Sequence, residues 1–152
     1  MSIEKVIATN KKALMTIDVE EKIESGISLL GTEVKSIKEG RVSFKDSYVR
    51  FENGEAFLIN LDIGPYPEAS FRNHPRMRKR KLLLHKRQIL RLIGKVSEKG
   101  YTIVPLTIYL NEKGLIKVEL GVGKGKKLYD KRKEIKEREL KRRIEREAKY
   151  GY

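Results

Sequence analysis

The thirty residues from Gly123 to Tyr152 cannot build a hydrophobic core, and this limits how much chain is left to fold. Thirteen of them are Lys or Arg and six are Asp or Glu, a surplus of +7. Their wholly apolar positions, Leu128, Ile135, Leu140, Ile144 and Ala148, make only a narrow stripe. Pairs such as Glu134 with Arg138 and Glu145 with Lys149 stand four apart, and each adds only about 0.2–0.5 kcal/mol to a helix. The expectation is a basic C-terminal tail, residues 123–152, disordered when free and helical when bound. Residues 1–122 remain as the body, an ordinary size for one domain.

The charge is localised. The chain carries +14, residues 72–91 hold nine Lys or Arg and no acid, and the 102 residues outside these two segments sum to −2. Solubilising charge would be spread more evenly, so two basic devices on a near-neutral body favour a polyanionic partner. There is no Cys, which excludes disulfides and thiolate metal sites. No stretch resembles a signal peptide, and none approaches the roughly 20 apolar residues that span a bilayer. A soluble, cytoplasmic protein with no membrane partner is expected.

Along the body, Ile3 to Thr9 alternates as a first strand, and Asn10-Lys11-Lys12 reads as a polar break. From Ala13 to Ile23, Met15, Ile17 and Val19 alternate with Thr16, Asp18 and Glu20, the period of two of a half-buried strand. Ser25-Gly26 then suggests a bulge or bend, with the strand resuming over Ile27 to Leu30. Gly31 to Gly40 has the signals of a short helix, Thr32 capping it, Glu33 at its positive end, and Val34 and Ile37 facing inward. Asn53-Gly54 between Ser47–Phe51 and Glu55–Leu61 is a strong hairpin signal. Lys86 to Ser97 places Ile89, Ile93 and Val96 on one helical stripe. Thr102–Leu110 and Leu115–Val122 form a second hairpin, in which Pro105 requires an edge or a bulge. These elements predict a mainly β fold, a small antiparallel oligonucleotide-binding (OB-like) barrel of about six strands with two short helices. A two-layer α+β sheet is the alternative.

Little in the chain suggests catalysis. His74 and His85 are not in metal-ligand spacing, and Gly121 to Lys126 lacks the phosphate-loop pattern. Glu20, Glu21 and Glu24 read as carboxylates on a solvated strand face. No catalytic residue, metal, cofactor or small-molecule substrate is expected. Arg76-Met77-Arg78-Lys79-Arg80-Lys81 is the stronger signal, since five cations in six residues repel one another until something anionic arrives. The alternatives are a solvated loop, or a surface for acidic protein or lipid. Tyr129 sits among the tail's cations, where RNA bases can stack. Tyr66 and Phe71 border the other basic segment and suit core packing equally well.

Five stretches in order then point to a family. They are Gly31-Thr32-Glu33-Val34-Lys35-Ser36, Asp46-Ser47-Tyr48, Arg80-Lys81-Leu82-Leu83-Leu84, Gly100 to Leu106, and Gly123 to Lys127 followed by Asp130-Lys131-Arg132. With them the chain resembles, over nearly its whole length, the SsrA-binding protein (SmpB) family, the protein partner of transfer-messenger RNA in bacterial trans-translation. The resemblance implies an OB-like barrel that binds the tRNA-like domain of that RNA through Asn10, Glu24, Lys35, Arg78, Arg80, Lys81, Leu83 and Lys117. It implies that Lys124, Gly125, Lys126, Lys127, Tyr129, Asp130, Lys131 and Arg132 contact the ribosome, including small-subunit ribosomal RNA, as the tail probes a vacant messenger channel. The expected function is a non-enzymatic adaptor delivering transfer-messenger RNA to stalled ribosomes. A general RNA-binding or ribosome-associated protein is one alternative, and an RNA-modifying enzyme another.

Overall fold

A computed structural model describes residues 3–69, 72–126 and 140–142. It begins with β1 (Ile3–Thr9) and then α1 (Lys11–Thr16). Here the sequence reading is corrected. Asn10 starts a helix, its side-chain oxygen accepting the Ala13 N–H at 3.1 Å, and this cap outweighs a two-residue alternation that is too short to fix the strand period. β2 (Ile17–Ile27) follows, running unbroken through Ser25-Gly26 and ending before Leu30. Its one irregularity falls between Val19 and Glu21.

α2 (Gly31–Lys38) is capped from Leu30, with Glu33 accepting the Leu30 N–H at 2.8 Å. Thr32 lies inside the helix rather than capping it. Ile37 is buried, Val34 only partly, and Glu33 and Ser36 go inside as well. After β3 (Val42–Ser43) come β4 (Tyr48–Glu52) and β5 (Glu55–Ile59), joined at Asn53 and Gly54. Both turn residues have positive φ, 51° and 77°, as a two-residue I′ hairpin requires. In β5 it is Ala56 and Leu58 that are buried, on the face opposite Phe57 and Ile59.

β6 (Asp62–Ile63) pairs with β3, and β7 (Arg80–Leu83) draws the basic segment into the main sheet between β2 and β5. α3 (Lys86–Ser97) has the range the periodicity predicts. β8 (Tyr101–Asn111) and β9 (Ile116–Gly125) close the described body. Pro105 marks a register shift between Pro105 and Thr107, beyond the last β1 pairing at Thr9, so its missing N–H costs no ladder bond there.

The architecture is mainly β. One seven-stranded antiparallel sheet has the order β1-β8-β9-β2-β7-β5-β4, with β3-β6 as a separate pair and three helices in the body. The expected six strands and two helices thus fall short, because α1, β3, β6 and β7 are too short to leave a periodic signal. One face of the sheet packs Ile23, Leu58, Leu82, Val118 and Leu120 with Ile37 of α2 and Leu92 of α3. A second cluster joins Ala13, Val104 and Leu106, and Tyr48 of β4 packs against it. β9 also runs past Val122. Gly123, Lys124 and Gly125 pair with Val19, Asp18 and Ile17, so these three residues belong to the sheet rather than to the tail.

Candidate nucleic-acid interface

Side chains alternate faces along a strand, so the register decides which expected contacts share a surface. Gly26 of β2 lies opposite Lys117 of β9 and opposite Leu83 of β7, and Glu24 lies opposite Glu119. Their neighbours Ile23, Ser25, Val118, Leu120 and Leu82 point into the core. Glu24, Lys117, Leu83 and Lys81, which precedes Leu83 by two positions, therefore share the solvent face of three adjacent strands. Gly26 makes this surface flat, since a Cβ there would come within 3.1 Å of the Leu83 Cβ. Beside it runs a groove of about 260 Å³ lined by Leu29, Val34, Leu83, Leu115 and Lys117. Leu83 and Leu115 are 56% and 54% exposed, which leaves apolar surface beside a cation, a combination suited to ribose and base edges.

Glu24 is held by a partner that sequence reasoning missed. The buried Tyr109 donates its hydroxyl to the Glu24 carboxylate. Burial first, then this carboxylate, pushes the Tyr109 hydroxyl well above its ordinary value, so it remains a donor. The alternation of β8 carried the available signal, but the strand that Tyr109 faces is a property of the register.

The basic segment departs from expectation. Each of its five cations has an intramolecular carboxylate. Arg76 grips Asp62 through two bonds at 2.9 and 3.2 Å, Lys79 meets Glu52 at 2.6 Å and Lys81 meets Glu55 at 3.1 Å. Arg78 and Arg80 both reach Glu33, each at 2.5 Å. Five cations thus meet four carboxylates, and the repulsion predicted for an unpartnered run does not arise. Arg76, and secondarily Lys45, hold the Asp62 carboxyl below its usual range.

Two of the expected RNA-contact residues are buried in the protein. Arg80 is wholly inaccessible. Besides Glu33, its guanidinium donates to the Leu61, Pro75 and Arg76 carbonyls, so it ties β7 to α2 and the loop and cannot touch a phosphate. Burial works to raise the Glu33 carboxyl, but Arg78, the Leu30 N–H and Arg80 outweigh it, and the carboxyl stays below its ordinary value. Asn10 is also buried, its amide donating to the Pro105 carbonyl at 2.8 Å while its oxygen caps α1. Arg78 is mostly covered and donates to the Ser28 carbonyl as well as Glu33. Lys35 is exposed on α2, with its ammonium 5.4 Å from the Tyr66 ring centre.

Of the expected ribosome contacts, Lys124, Gly125 and Lys126 are described. Lys124 projects from β9 over Tyr101, 4.8 Å from its ring centre. Gly125 pairs with Ile17. The Lys126 N–H donates to the Thr16 carbonyl at 2.7 Å, and its ammonium reaches the Leu14 carbonyl at 3.3 Å. Lys127, Tyr129, Asp130, Lys131 and Arg132 lie outside the described residues, as does the expected helical stripe apart from Leu140. Among the described residues no group of three His, Cys, Asp or Glu could hold a metal. No helix there is long and apolar enough to cross a membrane.

Comparison with known proteins agrees with the resemblance. Residues 7–150 match the model of the SmpB protein family. The SsrA-binding protein of Aquifex aeolicus is 58% identical over 144 residues, covering 94% of this chain and 91% of its own. That of Thermosipho melanesiensis is 56% identical over 140 residues, covering 92% and 95%. A solved structure described as "tmRNA-SmpB: a journey to the center of the bacterial ribosome" superposes with a TM-score of 0.68 at 51% identity, covering 80% of this chain and 85% of that one. With residues 7–150 matching the family model and relatives this similar over more than nine-tenths of both chains, this chain belongs to the SmpB family.

Proposed function

We propose that this protein is the RNA-binding adaptor of trans-translation in its cell. It binds the tRNA-like domain of transfer-messenger RNA with the face of β9, β2 and β7 and delivers that RNA to stalled ribosomes in the cytoplasm. The observation that carries the reading is the convergence of Glu24, Lys81, Leu83 and Lys117 on adjacent strands. Four residues from three separate parts of the chain meet on one exposed surface, and the family's relatives are named for SsrA binding. Glu24, aimed by Tyr109, accepts hydrogen bonds from base or 2′-hydroxyl donors, Lys117 and Lys81 meet phosphates, and Leu83 packs against ribose or base. Lys35 adds a cation from α2. Arg78, Arg80 and Asn10 position this surface rather than touch RNA.

We also infer that the sheet curls into an OB-like barrel. In support, Tyr48 of the edge strand β4 packs on Val104 and Leu106 of β8, at the other end of the strand order. The chain then divides into a barrel and a tail that begins after Lys126, with Lys124 to Arg132 as the segment that meets small-subunit ribosomal RNA in the vacant messenger channel.

The test is a filter-binding titration of the tRNA-like domain RNA. Lys117→Ala and Leu83→Ala should each weaken binding roughly tenfold, about 1.4 kcal/mol. Lys117→Ala should also reduce the salt slope by about one. Unchanged affinity in both variants would exclude this face as the RNA site.

A further inference from the structure

α3 presents an outward face that the fold itself does not use. At 100° per residue, Arg87, Leu90, Arg91 and Gly94 fall on one side of the helix, opposite the buried Ile89 and Leu92. Leu90 is 61% exposed. Lys86 and Arg87 occupy the first turn, where no acidic residue stands, and where the helix dipole disfavours cations. Neither has a carboxylate partner among the described residues. Arg91 is shared with Glu21 at 2.7 Å but keeps half its side chain exposed.

Gly94 is the second, independent observation. Glycine in a helix interior weakens it relative to alanine. At Gly94 the φ is not positive, and a Cβ would meet nothing within 4 Å, so nothing among the described residues requires glycine there. The remaining physical use is to let something outside approach the helix backbone closely. Its neighbours on the same face are cations and one exposed leucine.

We propose that this face of α3 is a second RNA-docking surface, which takes the sugar-phosphate backbone of a duplex. Arg87, Lys86 and Arg91 meet phosphates, Leu90 rests on ribose, and Gly94 lets the strand lie against the helix. The charge selects the partner, since Lys86, Arg87 and Arg91 stand against a single carboxylate, Glu21, which pairs with Arg91. α3 buries its inner side in the same core as Ile23 and Val118, whose strands turn Glu24 and Lys117 the other way. The two surfaces therefore face different directions, and one molecule can hold two RNA segments at once. The inference rests on the RNA-binding reading above.

The experiment uses the full chain saturated with tRNA-like domain RNA and titrates a fluorescent 20-base-pair RNA duplex by anisotropy. Arg87→Glu and Gly94→Ala should each raise the melting temperature by roughly 2–5 °C, because each relieves a local cost in α3. Both should weaken duplex binding, by about tenfold and threefold or more, while affinity for the tRNA-like RNA is unchanged. Lys5→Glu, an equal charge change on β1, should do far less than Arg87→Glu. A purely structural role for α3 would not give higher stability with weaker binding. The proposal is overturned if both variants bind duplex like the wild type, if Lys5→Glu matches Arg87→Glu, or if both RNAs weaken together. It is also overturned if both variants keep duplex binding and instead lose capture of RNA-stripped ribosomal proteins, which would make the face a protein-docking one. Failure of the wild type to bind tRNA-like RNA would instead defeat the adaptor reading.

Discussion

Glu33→Gln should cost this protein more stability than any surface change in its basic segment. The Glu33 carboxylate is wholly buried and accepts from the Leu30 N–H at 2.8 Å, from Arg78 and from the equally buried Arg80. A glutamine of the same size keeps one acceptor oxygen but leaves the Arg80 guanidinium buried without its counter-charge. Removing one partner of a buried ion pair costs about 3–5 kcal/mol, against a total stability of about 5–15 kcal/mol for a domain. For a domain of this size each kcal/mol moves the melting temperature by about 2–4 °C, so a fall of about 10 °C is expected by calorimetry or circular dichroism. Glu33→Leu combined with Arg80→Met removes both charges and should cost clearly less than the two single changes added together. The pH dependence has a definite sign. The folded carboxyl lies below its unfolded value, so its stabilisation is present above about pH 4.3 and is lost as the pH falls through the folded value. Glu33→Gln should flatten that acid limb. A loss under about 1 kcal/mol, with an unchanged acid limb, would refute the ion triad as the link between α2 and β7.

Asn10→Ala should destabilise by about 1–2 kcal/mol in urea unfolding, because it removes the α1 cap and the Pro105 bond together. Deletion after Lys126 should keep binding of tRNA-like RNA while abolishing rescue of stalled ribosomes in a translation assay. Deletion after Val122 also strips three β2–β9 pairs, so it should lower the melting temperature as well. Tyr109→Phe removes the hydroxyl that donates to the Glu24 carboxylate, and should weaken RNA binding several-fold.

How much of this was legible in the sequence depended on range. Asn53-Gly54 wrote its own hairpin, because positive φ at both positions is a local demand. α3 came out at its full length because twelve residues give more than three turns of periodicity. The six residues of α1 do not, and there the local alternation misled. Four of the eight expected RNA-contact residues, Glu24, Lys81, Leu83 and Lys117, lie together on the sheet face. The resemblance supplied their names, but only the register made them one surface.

The basic segment separates most clearly what sequence and tertiary structure each decided. By itself the sequence determined where the charge lies and that Arg76 to Lys81 is dense in cations. It could not determine whether those cations are free, because their carboxylates lie 14 to 47 residues away along the chain. Coulomb pairing depends on distance in space, and that distance is set by which strands pair. The fold therefore turned the most conspicuous basic run into an internally paired strut, with the buried Arg80 at its centre. The surfaces we propose for RNA lie on Lys81, Leu83 and Lys117 of the sheet face and on the outer side of α3.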